Sequence, residues 1–137
     1  MEYVLGIETS CDDTSLAIVR RDGFVVECLA ANQDLVHRPF GGIVPEIASR
    51  NHTLQILPLL EELFAKSKFS WSNIDGIAVT SRPGLIGSLL VGVVTAKTWS
   101  LLYDKPFVGV NHLEGHLLAA FLHDARGAKQ NDLAYPY

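Results

Sequence analysis

His112 and His116 stand four residues apart in "FVGVNHLEGHLLAAFLHD", directly after an apolar run. Side chains at i and i+4 of a helix leave the same face about one turn apart, so the two imidazoles can reach a single ion. Zinc or iron ordinarily takes at least a third protein ligand, often a carboxylate, and keeps a position open for substrate or water. The metalloprotease pattern HExxH does not apply, because Leu113 stands where its glutamate would be. Glu114 falls on the other side of the helix, and His123 lies on roughly the same stripe about two turns away, too far to join. Spacing alone leaves two readings, a partial metal site or two polar residues on a helix.

Three further stretches could carry chemistry. "GIETSCDDTS" is a turn between two strands with Thr9, Ser10, Asp12, Asp13 and Thr14; its hydroxyls and amides could hold a phosphate, or it is an ordinary polar turn. In "FGGIVPEIASRNH", Pro45 and Glu46 suit the first turn of a helix, while Arg50 and His52 are either solvated or placed at a cleft or subunit contact. "TSRPGLIGSLLVG" places Gly84, Gly87 and Gly92 around a helix start. It lacks the Gly-Lys-Ser/Thr end of a phosphate-binding loop, so close helix packing is the expected use.

The elements that must position these residues follow from periodicity. "EYVLGIETS" and "TSLAIVRRDGFVVECLAANQ" give three strands, the last two joined at Asp22-Gly23 by a tight primed turn in which both residues have positive φ. From Pro45 to about Ala65 the residues Ile47, Ala48, Leu54, Leu57, Leu60, Leu63 and Phe64 recur at helical steps with one buried face. Pro58 removes a backbone donor, which predicts two consecutive helices or one kinked helix. "IDGIAVTS" reads as a buried strand, "PGLIGSLLVGVVTAKTWSLLYD" as a helix rich in small residues, and "PFVGVN" as a strand leading into the helix that carries the histidines. The order β-β-β-α-β-α-β-α predicts one α/β domain, a mixed five-stranded sheet with helices on its faces. "ARGAKQNDLAYPY" reads as a loop leading on from that domain.

Composition sets the bounds. A chain of 137 residues, 48% hydrophobic and 19% charged, suffices for one core. Its formal charge of −4 supplies no general attraction for phosphate backbones, so a nucleic-acid partner would need a local basic patch or another subunit. Cys11 and Cys28 match neither a zinc cluster nor a disulfide framework and read as reduced thiols, most simply small core filler. No basic leader precedes the first apolar segment and no uninterrupted apolar stretch reaches about 20 residues, so a cytoplasmic location with no membrane contact is expected.

Taken together, "GIETSCDDTS", "HRPFGGIVPEIASRNH", "PGLIGSLLVG" and "VNHLEGHLLA" closely resemble, in order and separation, the amino-terminal half of the TsaD family, also called Gcp or YgjD; the wording looks bacterial or organellar. The resemblance runs from Tyr3 to Tyr137. It implies an actin-like ATPase fold of two ribonuclease-H-like lobes, with residues 1–137 forming the first lobe and the second absent. It also implies transfer of a threonylcarbamoyl group from threonylcarbamoyl-AMP to N6 of the adenosine next to the anticodon of tRNA. His112 and His116 fall on the family's two histidine ligands for one divalent ion, iron or zinc, and Thr9, Ser10 and Asp12 on its first cleft loop, facing threonylcarbamoyl-AMP or ATP. The implied partners are TsaB-like and TsaE-like subunits and tRNA.

The family's third ligand, an aspartate, and its "SGGHT" substrate loop lie beyond the matching region, so no catalytic residue is assigned and the isolated lobe is expected to fold without transferring. Arg82 stands where the family usually has glycine, a substitution that strains the turn if φ is positive. Two other readings share the superfold: a non-catalytic interaction module like TsaB, and an ATPase or sugar kinase. Partners of the TsaB kind lack the histidine pair, although a lone lobe can still self-associate through the corresponding surface. Leu89, Val93 and Trp99 are either contacts for such a subunit or core.

Overall fold

The computed structural model describes residues 1–124. The stretch 125–137, including the loop expected there, lies outside the described residues. Strands β1 (Tyr3–Glu8), β2 (Thr14–Arg20) and β3 (Val25–Ala31) open the chain, followed by the short helix α1 (Asp34–His37) and the long helix α2 (Pro45–Ser67). Then come β4 (Gly76–Arg82), α3 (Ile86–Tyr103), β5 (Phe107–Asn111) and α4 (His112–Leu118). The sheet order is β3-β2-β1-β4-β5. The first three strands pair antiparallel, whereas β1, β4 and β5 run parallel. This is the mixed five-stranded sheet expected from the element order; α1 and three short 3-10 turns are additions to it.

Alternation along the strands separates two faces. Leu5 and Ile7 of β1 register with Ile18 and Leu16 of β2 and with Ile77 and Val79 of β4, and all six are buried. They pack against Ile56, Leu59, Leu60 and Leu63 of α2 and Ala96 and Trp99 of α3, forming one core between sheet and helix layer. The opposite face carries Gly6, Ala17, Ala78, Glu8 and Thr80, and with Gly115 and Leu122 it bounds an opening of about 310 Å³. Such small side chains leave room there because no bulky residue projects from the centre of the sheet.

Several expectations are corrected. The β2–β3 turn is a residue longer than a two-residue primed turn. The Gly23 amide donates to the Arg20 carbonyl (2.9 Å) and the Arg20 amide to the Phe24 carbonyl (2.8 Å). Only Gly23 has positive φ (89°), the pattern of a three-residue hairpin loop. Of the two alternatives at Pro58, α2 takes the single helix rather than the pair. Proline there frees the carbonyl four residues back, at Leu54, which is 67% exposed, so water can take the bond that the ring forfeits. Leu57 is exposed as well, so the buried stripe is Ala48, His52, Ile56, Leu59, Leu60 and Leu63.

Cys11 and Cys28 are free thiols but exposed, not core filler. Leu89 and Trp99 are buried and Val93 packs partly buried against the core, so these three face inward. Arg82 closes β4 opposite Asn111 and lacks positive φ, so a side chain fits without strain, and its peptide bond to Pro83 is cis. Helix α3 is long and apolar enough by length and composition to cross a membrane. Here it is a layer of the fold, with Ser88, Leu89, Gly92, Ala96 and Trp99 buried against its neighbours.

Candidate functional site

Strand β5 passes into α4 with no intervening loop: Asn111 ends the strand and its side chain accepts a hydrogen bond from the Leu113 amide (2.8 Å), capping the helix. The histidines thus sit at the first and fifth positions of α4, beyond the carboxyl ends of the parallel strands, where open α/β sheets bind ligands. Their rings meet edge to face with centroids 4.4 Å apart, and the two Nε2 atoms are 2.9 Å apart. Neither ring points into hydrocarbon. His123 is not on this helix: it bridges to Phe24 beside the β2–β3 turn, with the rings 5.7 Å apart.

The other nitrogen of His112 meets a residue that the motif spacing did not single out. Nδ1 lies 3.1 Å from Oε2 of Glu8, the last residue of β1, and 3.2 Å from the Ser10 hydroxyl. Glu8 accepts from the Ser10 amide (2.6 Å) and from the Thr80 hydroxyl of the adjacent strand (2.5 Å). Burial pushes its carboxyl up, but the hydrogen bonds from Ser10 and Thr80 outweigh that and hold it below the usual carboxylate range.

The first loop is clamped from two sides. The Thr9 hydroxyl donates to the Ser88 carbonyl of α3 (2.7 Å), and the Leu85 amide donates to the Ser10 carbonyl (2.8 Å). Glycines make that approach possible: a Cβ on Gly84 would lie 2.6 Å from the Ser10 carbonyl oxygen, and one on Gly92 2.5 Å from the Thr9 hydroxyl. From the other side His52, fully buried on α2, contacts the Cys11 carbonyl through Nε2 and the Thr14 hydroxyl through Nδ1, each at 2.7 Å. A carbonyl only accepts, so Nε2 carries the hydrogen, while the Thr14 hydroxyl that meets Nδ1 also donates to the Gln55 side-chain carbonyl (3.1 Å). Burial lowers the His52 pKa and so favours the neutral ring. His52 is therefore a pin for the loop rather than a solvated or cleft residue, while Arg50 is exposed.

His37 is a second pin. It is buried, its Nε2 donates to Gln33 (2.7 Å) and its Nδ1 accepts from the Val44 amide (3.1 Å), tying α1 to the start of α2. Of the three loop residues expected at a cleft, only Ser10 stands beside the histidine pair. Thr9 is buried with its hydroxyl committed, and Asp12 lines a separate opening of about 260 Å³ with Asp34, His37, Arg38, Gly42 and Ile43.

The donor set suits a divalent ion. Two neutral imidazole nitrogens bound to one tetrahedral ion at about 2.0–2.1 Å would lie roughly 3.3 Å apart, a few tenths of an ångström beyond the separation here. A carboxylate behind one ligating ring is also the usual arrangement of such centres. Among the described residues, no cluster of three or more His, Cys, Asp or Glu side chains capable of holding a metal forms.

Fold and site together define an α/β domain of the actin-like, ribonuclease-H-like fold class with a histidine pair at the sheet's carboxyl edge. Solved structures share the architecture. YeaZ from Pseudomonas aeruginosa superposes with TM-score 0.60 at 19% identity, over 81% of this chain and 44% of that one. Thermus thermophilus RuvC with a Holliday junction substrate gives TM-score 0.52 at 12% identity, over 88% of this chain and 71% of that one. The chain belongs to the TsaD family, whose sequence profile, described as tRNA N6-adenosine threonylcarbamoyltransferase, matches residues 24–131. A relative of that description from Bdellovibrio bacteriovorus is 61% identical over all 137 residues, and one from Gloeothece citriformis is 53% identical over 89% of the chain. The chain spans 40% of the length of the first and 35% of the second.

Proposed function

We propose that the chain is the amino-terminal, metal-holding lobe of a cytoplasmic tRNA threonylcarbamoyltransferase. The observation that carries this reading is the convergence of the His112 and His116 Nε2 atoms, 2.9 Å apart, in a member of the TsaD family. In the complete enzyme the pair would hold one iron or zinc ion, which as a Lewis acid polarises oxygens of threonylcarbamoyl-AMP. This chain's own part is to fix the two rings on a capped helix, to place the Ser10 hydroxyl against His112, and to hold the Thr9–Asp13 loop rigid between α2 and α3. Thr9 and Asp12 would act on the nucleotide only through backbone groups and loop shape, since neither side chain lies beside the pair. TsaB-like and TsaE-like subunits and tRNA complete the assembly; the isolated lobe, with two protein ligands, binds metal weakly and does not transfer.

Titration of the purified chain with Co²⁺, followed by visible absorption, tests the reading. Saturable binding that vanishes in the double variant His112→Ala, His116→Ala supports it. Equal affinity in that variant removes it.

A second reading has an observation of its own. Ile86, Leu90 and Val94 of α3 and Leu54 and Leu57 of α2 are large apolar residues left 51–85% exposed. Such a patch suits pairing with another lobe of the same superfold, as a TsaB-like interaction module would do. The two readings are compatible, because the patch belongs to the helix layer and the histidine pair to the opposite side of the sheet.

A further inference from the structure

We propose that Glu8 is a positioning residue: it holds His112 in the Nδ1–H tautomer, so that the Nε2 lone pair faces His116 and any ion the pair holds. The inference rests on the metal-holding reading above and deepens it.

Two groups approach Nδ1 of His112, and they differ in what they impose. The Ser10 hydroxyl at 3.2 Å can donate or accept, so it accommodates either tautomer. The Glu8 carboxylate at 3.1 Å only accepts, so the hydrogen must be on Nδ1. With that nitrogen protonated in a neutral ring, Nε2 has a free lone pair. Across the 2.9 Å gap the His116 Nε2 is then the donor. The two histidines of one helix are thereby set in opposite tautomers. His112 is already poised to ligate, whereas His116 has to move its hydrogen to Nδ1 first.

Glu8 can impose this choice because it is itself held. Its Oε1 accepts from the Ser10 amide at 2.6 Å, and its Oε2 accepts from the Thr80 hydroxyl at 2.5 Å. Thr80 is only 8% exposed, and its strand lies directly beside β1 in the sheet. The relay Thr80, Glu8, His112 therefore joins β4, β1 and α4 through residues 72 and 104 positions apart in sequence. Removing an outer partner of a ligating histidine typically weakens metal affinity about 10–100-fold.

Long-range ¹H–¹⁵N spectra of the metal-free chain at about pH 8 read each tautomer directly. The expected result is Nδ1–H for His112 and Nε2–H for His116. In Glu8→Gln, whose amide can donate as well as accept, His112 becomes a mixture of tautomers and Co²⁺ affinity falls about 10–100-fold. Glu8→Asp, which keeps the acceptor, restores part of both. Should Glu8→Gln fail to fold by circular dichroism, Thr80→Val carries the test: it keeps the carboxylate, frees its position, and shifts both readouts in the same direction by less.

An Nε2–H tautomer at His112 in the unsubstituted chain overturns the proposal. So do spectra unchanged in Glu8→Gln or Thr80→Val, and a tautomer shift with unchanged Co²⁺ affinity. Absence of Co²⁺ binding by the unsubstituted chain overturns the metal-holding reading instead, and the tautomers of the metal-free chain still decide what Glu8 does.

Discussion

A Cβ placed on Gly92 would stand 2.5 Å from the Thr9 hydroxyl oxygen, the same oxygen that donates to the Ser88 carbonyl across 2.7 Å. The clamp on the first loop therefore depends on an atom that is missing. Gly92→Ala must push Thr9 off Ser88 or α3 off the sheet, although alanine alone favours the helix by about 1 kcal/mol. Overpacking of this kind costs about 1–3 kcal/mol, so the net expected result is a loss of stability in urea denaturation, with loosening of the Thr9–Asp13 loop. Unchanged stability would mean that Thr9 and α3 separate without cost.

Ser88 supplies the complementary case. Among the described residues its hydroxyl is buried without a hydrogen-bond partner, while its carbonyl serves Thr9. Ser88→Ala keeps the carbonyl, removes the unsatisfied oxygen and improves helix propensity. The variant is expected to be more stable by roughly 1 kcal/mol, seen as a higher denaturation midpoint. A loss of similar size would show that the hydroxyl has a partner.

His52 makes stability depend on pH. Its folded pKa lies below the ordinary 6.5 because burial disfavours the cation. Between those two values the unfolded chain binds a proton that the folded chain does not, so stability rises with pH there and is lost as pH falls below 6.5. The slope from this one group is at most about 1.4 kcal/mol per pH unit. Urea midpoints measured from neutral to mildly acidic pH should show that decline, and His52→Gln should remove this component while lowering stability at neutral pH.

The exposed stripe of α2 and α3 leads to a prediction about association. Leu90 and Val94 are 58% and 51% exposed one turn apart. Sedimentation of the isolated chain should show concentration-dependent dimers, and Leu90→Glu with Val94→Glu should leave monomers of unchanged circular dichroism. Monomers at every concentration in the unsubstituted chain would remove the patch as a self-association surface.

Much of this architecture is legible from residue order. The strand and helix succession, the turn at Asp22-Gly23 and the shared face of His112 and His116 all come from local spacing. Local spacing also explains the misses. Leu54 and Leu57 keep helical steps but occupy a second stripe, and which stripe is buried depends on where the sheet lies. Cys11 and Cys28 are small enough to suit a core, yet their places in loop and outer strand leave them exposed. Glu8 carries no local signal, since it continues the alternation of β1 and its partners Thr80 and His112 arrive only when three distant segments converge. Thr9 and Ser10 are neighbours in the loop that follows β1, yet their hydroxyls part: one goes inward to Ser88, the other outward to His112.

Because Asn111 hands the chain to α4 without a linker, the imidazoles ride on β5, an edge strand that among the described residues is bonded in the sheet to β4 alone. A slip of one residue along that edge would displace both rings by about 3.3 Å relative to Glu8. Whatever anchors the rings thus anchors the sheet margin by the same free energy, through mass action. A bound cation would slow amide exchange at Val108 and Val110, turning that border of the sheet into a reporter of occupancy.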